Sequence, residues 1–396
     1  MSANPTQTLI LGGGFGGIAT ANTLRRLLPA GHAITVIDQA PRFHVGAGKP
    51  WVMLGERTSE EISAPRAMLL EPGVEFLHSE IQQLDVSGRR VVTAAGPRTW
   101  DFLVIALGAT LRQEAVPGLG AAHTFYTVEG AEKLRPVLAD FAQGEIVLLI
   151  PKAPYKCPAA PYEGALLLRD FFAKHGRKDN VRLNIYTVEG APMATAGPEM
   201  GAFVRGQLAE HGIGFFPQKA VTLVDDQARR VKFADGISVA YDLLISVPPH
   251  EAPAVVRAAQ LTGSSGWIPV DPLTMEVKSA AGAGRVFAIG DVTSVALPGR
   301  FKPDVGLSLP KAGVMAEAQG EVVAQRIADI VSNRPPAAIF DGKGYCYLET
   351  GGGCAVKGEG AFFALPHPVM SKQPPSPGQF SDKLAWVAKH LTPRRS

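Results

Sequence analysis

Three cysteines, Cys157, Cys346 and Cys354, stand in a chain of 396 residues. That is too few for a disulfide framework in a chain this long, so they are candidates for thiol chemistry. Cys157 sits in Lys156-Cys157-Pro158-Ala159-Ala160-Pro161-Tyr162-Glu163, at the start of a segment with helical spacing. A neighbouring cation and a helix N-terminus close behind are features that lower a thiol pKa. Glu163, a turn or two on, is placed to relay a proton, although the helix dipole alone also favours an acid in a first turn. Cys346, in Tyr345-Cys346-Tyr347-Leu348-Glu349, lies in an aromatic strand, where burial as a small hydrophobe competes with a reactive role. Cys354 is either a spare thiol or a place to hold sulfur. No histidine has a metal-site partner at telling spacing, so no metal is expected.

The elements that must position these thiols begin with the first forty residues. The apolar run Thr8–Leu11 leads into Gly12-Gly13-Gly14-Phe15-Gly16-Gly17, then a helical stretch from Ile18 to Leu28 and a second apolar run, Ala33–Ile37, closed by Asp38. Gly12, Gly14 and Gly17 fit G-x-G-x-x-G, with an acid about twenty residues further on. Gly12 allows the tight turn, Gly14 lets a pyrophosphate approach the helix N-terminus, Gly17 lets helix and strand pack closely, and Asp38 can accept from a ribose hydroxyl. Trp100–Ala106 is a buried strand running into Leu107-Gly108-Ala109-Thr110, and Arg285–Ile289 is another, ending in Gly290-Asp291. Both loops fall at the carboxyl edge of a parallel sheet, where ligands bind in such folds.

A second unit repeats the pattern: strand Glu145–Ile150, helix from about Pro161 to Lys174, strand Val181–Thr187 and an acid, Glu189. Its turn carries prolines and Cys157 instead of glycines. Proline lacks the N–H groups that a phosphate needs, so this unit is not expected to bind NAD(P)H. The fold expected is α/β, with two Rossmann-like dinucleotide-binding domains of the FAD/NAD(P)-linked reductase type. The first FAD-binding part spans 1–119, the second Rossmann-like domain 120–250, and the FAD-binding domain resumes over 251–335. The C-terminal segment, 336–396, faces a membrane or a partner. In that segment Ala361–Leu365 is apolar and reads as exposed. Phe380, Leu384, Val387 and Leu391 fall on one helical face, with Lys383, Lys389, His390, Arg394 and Arg395 supplying charge. That is the pattern of a helix lying in a membrane surface, or of one packed on the body or on a second subunit.

Composition excludes other classes. A net charge of +3 is too small to suggest nucleic acid, and 46% apolar residues with 19% charged residues is ordinary for a globular chain. No apolar run is long enough to span a bilayer, and the chain enters its first strand with no room for a signal peptide. A cytoplasmic or peripheral membrane-associated protein is expected, with a homodimer as the prior oligomer.

Taken together, the glycine turn, Leu107-Gly108-Ala109-Thr110 and Phe287-Ala288-Ile289-Gly290-Asp291 resemble the two-dinucleotide-domain flavoproteins. Cys157 in Lys-Cys-Pro-Ala-Ala-Pro-Tyr-Glu, Cys346 in Cys-Tyr-Leu-Glu, Pro50-Trp51-Val52 and Pro310-Lys311-Ala312-Gly313 narrow the likeness. They resemble the sulfide:quinone oxidoreductases and the flavoprotein subunit of flavocytochrome c sulfide dehydrogenase. The resemblance implies FAD held by Gly12, Gly14, Gly17, Asp38, Gly108 and Asp291, with Lys311 facing the flavin's pyrimidine end. It implies Cys157 and Cys346 as a redox pair that takes sulfide to a protein-bound persulfide, then to polysulfide or zero-valent sulfur. Electrons would leave to a quinone through an apolar mouth at Phe362 and Phe363, or to a cytochrome c-type acceptor. Many such enzymes carry a further cysteine before the one matching Cys157; none precedes it here, and the loop Phe43–Pro50 has no cysteine to tether FAD, so non-covalent FAD is implied. The more distant alternatives are an NADH:quinone oxidoreductase and a flavin-binding protein without enzymatic activity.

Overall fold

A computed structural model of the chain describes residues 5–278 and 284–394. Five parallel strands form the first sheet, in the spatial order Val286–Ala288, Phe102–Ile105, Gln7–Leu11, Ala33–Asp38, Glu75–His78. They read as apolar runs without alternation because both faces are covered, and Leu9, Ile10, Leu103, Val104 and Phe287 are fully buried. The helices Phe15–Leu27 and Gly313–Val331 cross closely where glycines meet: a Cβ on Gly320 would stand 2.5 Å from the Gly16 carbonyl oxygen.

The second sheet is also parallel, in the order Gly214–Phe216, Val181–Thr187, Gly144–Ile150, Leu243–Ser246, with Ala160–Lys174 as its first crossover helix. Each unit carries a three-stranded antiparallel meander: Ile81–Asp85, Arg90–Thr93 and Gly96–Thr99 in the first, Val221–Asp225, Arg230–Phe233 and Ser238–Ala240 in the second. The repeated topology expected from the sequence is present down to this accessory layer. The segment 43–50, read as loop, is more ordered than that, since a helix, Lys49–Leu54, starts within it, with Pro50 in its first turn.

The tail forms an antiparallel sheet of Lys343–Gly351, Cys354–Ala361 and Val369–Lys372, followed by the helix Pro377–Leu391. Ser376 caps that helix, accepting from the Gln379 N–H at 3.3 Å. Of the two arrangements left open for it, the structure has the packed one. Val387 is buried, and Phe380, Leu384, Trp386 and Leu391 pack against the core of the second unit, while Trp386 stacks on Phe15 at 5.5 Å. Each aliphatic side chain buried this way contributes about 1.5–3 kcal/mol, so the apolar stripe is spent on the protein's own body. Two further expectations are corrected. Lys383 is not a surface charge but is 1% exposed. Phe362 is buried rather than exposed, under Gly360, and Phe363 lies edge-on to Phe340 at 5.5 Å. Arg395 lies outside the described residues. No helix among the described residues is long and apolar enough to cross a membrane.

Candidate active site

The carboxyl ends of the first sheet's strands bring the glycine turn, Asp38, Gly108 and Asp291 to one edge. Gly12 has φ +102°, and a Cβ there would stand 2.3 Å from the Ala106 oxygen; one on Gly17 would stand 1.9 Å from the Gly12 oxygen. Both positions are closed to any side chain. A Cβ on Gly14 would instead meet nothing within 4 Å, so the turn is packed on its inner side and open on its outer side, as a phosphate cradle requires. The Asp38 carboxylate braces the turn, accepting from the Gly13 N–H at 2.7 Å and the Ala40 N–H at 2.9 Å, with the Arg66 guanidinium 3.4 Å away. A carboxylate has about four lone-pair sites, which leaves capacity for one ribose hydroxyl. Arg66, which also donates to the carbonyls of Gly13, Ala40 and Arg42, is a site residue that the sequence reading missed.

Asp291 carries a buried Oδ1 with no hydrogen-bond partner among the described residues. Burial raises its carboxyl pKa, while Lys311, Lys156 and Lys49 pull it down. An unpaired acceptor among three cations at the sheet's edge fits a polyol chain that donates hydroxyls. With the outward-open glycine turn, it fits FAD. Lys311 is placed differently from the expectation. Its ammonium donates to the carbonyls of Asp291 at 2.7 Å and Thr293 at 2.9 Å and lies 3.5 Å from the Trp267 ring centroid. Burial lowers its pKa to about 8. The amine is therefore engaged by protein, and what Lys311 offers the site is its main-chain carbonyl, which accepts from the Cys157 N–H at 2.6 Å. Lys49, unremarked in the sequence, donates to the Tyr126 carbonyl at 2.6 Å, and burial, then Lys156, lower its pKa to about 7.

Cys157 has φ +53°, a conformation that non-glycine residues seldom adopt and that concentrates at functional sites. The residue is exposed to solvent on one side while protein crowds the others. Cys346, on the tail strand Lys343–Gly351, is within electrostatic range of it, so thiols from two different units share one electrostatic neighbourhood. Both are free thiols. The expected lowering of their pKa values is not found. Crowding by protein and then the Glu163 charge push Cys157 up to about 11, against Lys383 and the Ala160 N–H. Burial, then Cys157 and Glu163, push Cys346 up as well. Lys156 does not offset this: it is half-buried and crowding by protein lowers its own pKa. Cys354 starts the next strand, four residues along from Gly358, the register partner of Cys346. At 3.3 Å per residue that is about 13 Å, beyond disulfide reach.

Behind the two thiols lies a buried ionic cluster. Lys383 of the C-terminal helix donates to Glu163 Oε1 at 3.0 Å and to Glu349 Oε1. Glu163 Oε2 accepts from the Glu349 N–H at 3.0 Å, and Glu349 Oε1 also accepts from Trp51 Nε1 at 2.8 Å. All three ionic side chains are at most 6% exposed. Glu163 is thus a partner in a structural cluster, with both oxygens engaged. Lys383, Glu349 and Trp51 were missed; the available signal was that Lys383 is three residues beyond Phe380 and four before Val387, inside the apolar stripe.

In the second unit Glu189, which ends the position of a nucleotide-binding acid, accepts from the hydroxyls of Tyr155 at 2.7 Å and Tyr162 at 2.8 Å. The chain's own phenols both bond to one oxygen of this carboxylate, Oε2. Finally, a groove of about 640 Å³ runs between the helix Gly313–Val331 and the tail sheet, lined among others by Val314, Ala318, Tyr345, Ala361 and Val369. Phe362 packs beneath Gly360 at its wall and does not line it.

Known proteins match this arrangement. Residues 6–148 match the model described as pyridine nucleotide-disulphide oxidoreductase, and residues 131–248 the model for the sulfide dehydrogenase [flavocytochrome c] flavoprotein chain, central. Similar proteins include the mitochondrial sulfide:quinone oxidoreductase of Mus musculus, 24% identical over 92% of this chain and 80% of that protein. The sulfide-quinone reductase of Aquifex aeolicus (strain VF5) is 28% identical over 83% of this chain and 77% of that protein. The crystal structure of the sulfide:quinone oxidoreductase from Aquifex aeolicus superposes with a TM-score of 0.84 at 23% identity, covering 97% of this chain and 90% of that one. The glycine cradle, the unpaired Asp291 oxygen and the doubled fold agree with these matches: the chain is similar to the sulfide:quinone oxidoreductases and to the flavoprotein subunit of flavocytochrome c sulfide dehydrogenase, and is an FAD-dependent oxidoreductase that holds its cofactor non-covalently.

Proposed function

We propose that the protein oxidises sulfide at Cys157 and Cys346 and passes the electrons through FAD to a quinone at a membrane surface. What supports this reading is that the Cys157 N–H bonds to the Lys311 carbonyl at the cofactor edge of the first sheet, while Cys346, from the tail, is within electrostatic range of Cys157. Hydrosulfide attacks the oxidised pair, the S–S bond breaks, and one cysteine leaves as thiolate while the other keeps the added sulfur as a persulfide. Bound FAD supplies the two-electron acceptor. Gly12, Gly14, Gly17 and Gly108 give it backbone room, while Asp38 and Asp291 take its hydroxyls. The Lys311 carbonyl fixes the Cys157 backbone. The persulfide is drawn off by a second hydrosulfide as polysulfide.

With the C-terminal helix docked on the body, membrane contact is assigned to the tail hairpin. Leu365 is 71% and Val369 53% exposed there, Lys372 is close by in the chain, and Val369 also lines the groove. That groove then admits the quinone, with Phe362 and Phe363 as its backing. A cytochrome c-type acceptor is the second reading, favoured by the match of residues 131–248 to the flavocytochrome c flavoprotein chain. The two separate in one experiment. Enzyme reduced anaerobically with one equivalent of sulfide is mixed with a short-chain quinone or with oxidised cytochrome c. The proposal expects rapid recovery of the oxidised-flavin band with quinone only; recovery with cytochrome c only would replace it by the second reading.

A further inference from the structure

The buried cluster behind the cysteines joins four elements that are far apart in the chain. Glu163 comes from the crossover helix of the second unit, Glu349 from the tail strand that also carries Cys346, Trp51 from the first unit, and Lys383 from the C-terminal helix. Two carboxylates and one ammonium leave a single excess negative charge in a site at most 6% exposed. Such a grouping is a poor way to stabilise a fold, since apolar residues of similar volume often do as well. Its value lies in the charge that it sets for its neighbours.

We infer that Lys383 is a positioning residue for the thiol pair: by docking, the C-terminal helix delivers the one cation that balances Glu163 and Glu349 and so fixes the field in which Cys157 and Cys346 react. This rests on the reading of those two cysteines as the reacting pair. Glu163 is the nearest-acting anion for both thiols after burial and mutual effects, and Lys383 opposes it at both. On the cofactor side, Asp291 adds to the rise at Cys157, and Lys49, Lys156 and Tyr126 also interact with that thiol. On the outer side, Glu56 and Lys174 face Glu349, with opposite signs. None of these outer groups touches the cluster, whereas Lys383 bonds directly to both carboxylates. The helix end is itself held to the body by His390 on Glu317 at 3.1 Å and by Trp386 on Phe15, so the cation's presence depends on the docking of the whole helix.

The test reads thiolate formation directly and needs no turnover. Reduced holoenzyme is alkylated with iodoacetamide from pH 6 to 11, and the rates at Cys157 and Cys346 are followed by peptide mass spectrometry. Glu163→Gln removes one anion and leaves Lys383 paired one-to-one with Glu349. The expected result is about a tenfold faster alkylation of Cys157 at pH 8, a shift of about one unit. Lys383→Met should shift the profile the opposite way, and Lys383→Arg should restore it. If Lys383→Met does not fold, Glu163→Gln decides alone. Profiles unchanged in Glu163→Gln, or moved equally in Lys383→Met and Lys383→Arg, would overturn the inference. Failure of sulfide to reduce the wild-type flavin would instead sink the proposed function and leave this profile readable.

Discussion

At the scale of single residues, the site is built from side chains whose ordinary ionisation has been displaced by burial. His250 is 4% exposed; its Nδ1 lies 2.6 Å from the Pro248 carbonyl, and burial, then Lys156, lower its pKa to about 3. The sign follows from proton counting. Between pH 6.5 and 3 the unfolded chain binds a proton that the folded one refuses, so the stability is complete above 6.5 and lost on acidification at about 1.4 kcal/mol per pH unit. Urea unfolding of His250→Phe from pH 7 to 4 should show a shallower acid limb than wild type; parallel limbs would mean that His250 ionises normally in the fold. Which residues hold such roles was only partly legible in the sequence. Cys157 and Asp291 stand out beside Pro158 and Gly290, Cys346 because cysteines are few, and Asp38 because it closes a strand after a glycine turn. Lys49, Arg66, Glu349 and Lys383 do not, because a charged residue looks the same in sequence whether it is solvated or buried against a partner distant in the chain.

At the scale of elements, the strand–turn–helix unit was readable because its glycines answer steric demands that hold for any such turn. The structure separates two of those demands. At Gly17 a Cβ would collide with the Gly12 oxygen, while at Gly14 it would meet open space. Gly17→Ala should therefore lower the melting temperature of FAD-free protein and abolish flavin retention. Gly14→Ala should leave the FAD-free melting temperature within about a degree and still weaken FAD binding, as followed by flavin fluorescence. Equal losses of stability in both variants would contradict this division of labour. The second unit was legible by what its turn lacks, and Glu189 supplies the other half of that account, since Tyr155 and Tyr162 already bond to it. NADH should give no fast bleaching of the flavin, in the wild type or after Tyr155→Phe; rapid bleaching of the wild type would place the protein among pyridine-nucleotide oxidoreductases.

At the scale of the whole molecule, the C-terminal helix is where sequence reasoning left two arrangements open, and the reason is physical. An amphipathic helix with basic residues presents the same pattern to a bilayer as to a protein core. The buried partners of Lys383 help distinguish the two, and they lie in the second unit and in the tail sheet. The helix ties these parts together. Truncation before Pro377 should cost about 3–5 kcal/mol, from the uncompensated carboxylates alone, and should raise the susceptibility of the tail sheet to proteolysis; an unchanged unfolding midpoint would show that the helix contributes little to the fold. If membrane contact belongs to the tail hairpin, Leu365→Glu should release the full chain from anionic vesicles in a flotation assay, with flavin content unaffected. Retention on the vesicles would send the membrane face elsewhere.

The central claim is that sulfide is oxidised by the Cys157 and Cys346 pair beside FAD. Anaerobic visible spectroscopy of the purified, air-oxidised holoenzyme during sulfide titration tests it most directly, with Cys346→Ser run alongside. The account predicts loss of the oxidised-flavin band near one equivalent of sulfide in the wild type. It also predicts a rate at least about a hundredfold slower in the variant, a barrier difference of about 2.7 kcal/mol. Equal bleaching rates in the two proteins, or no bleaching of the wild type by sulfide, would contradict it.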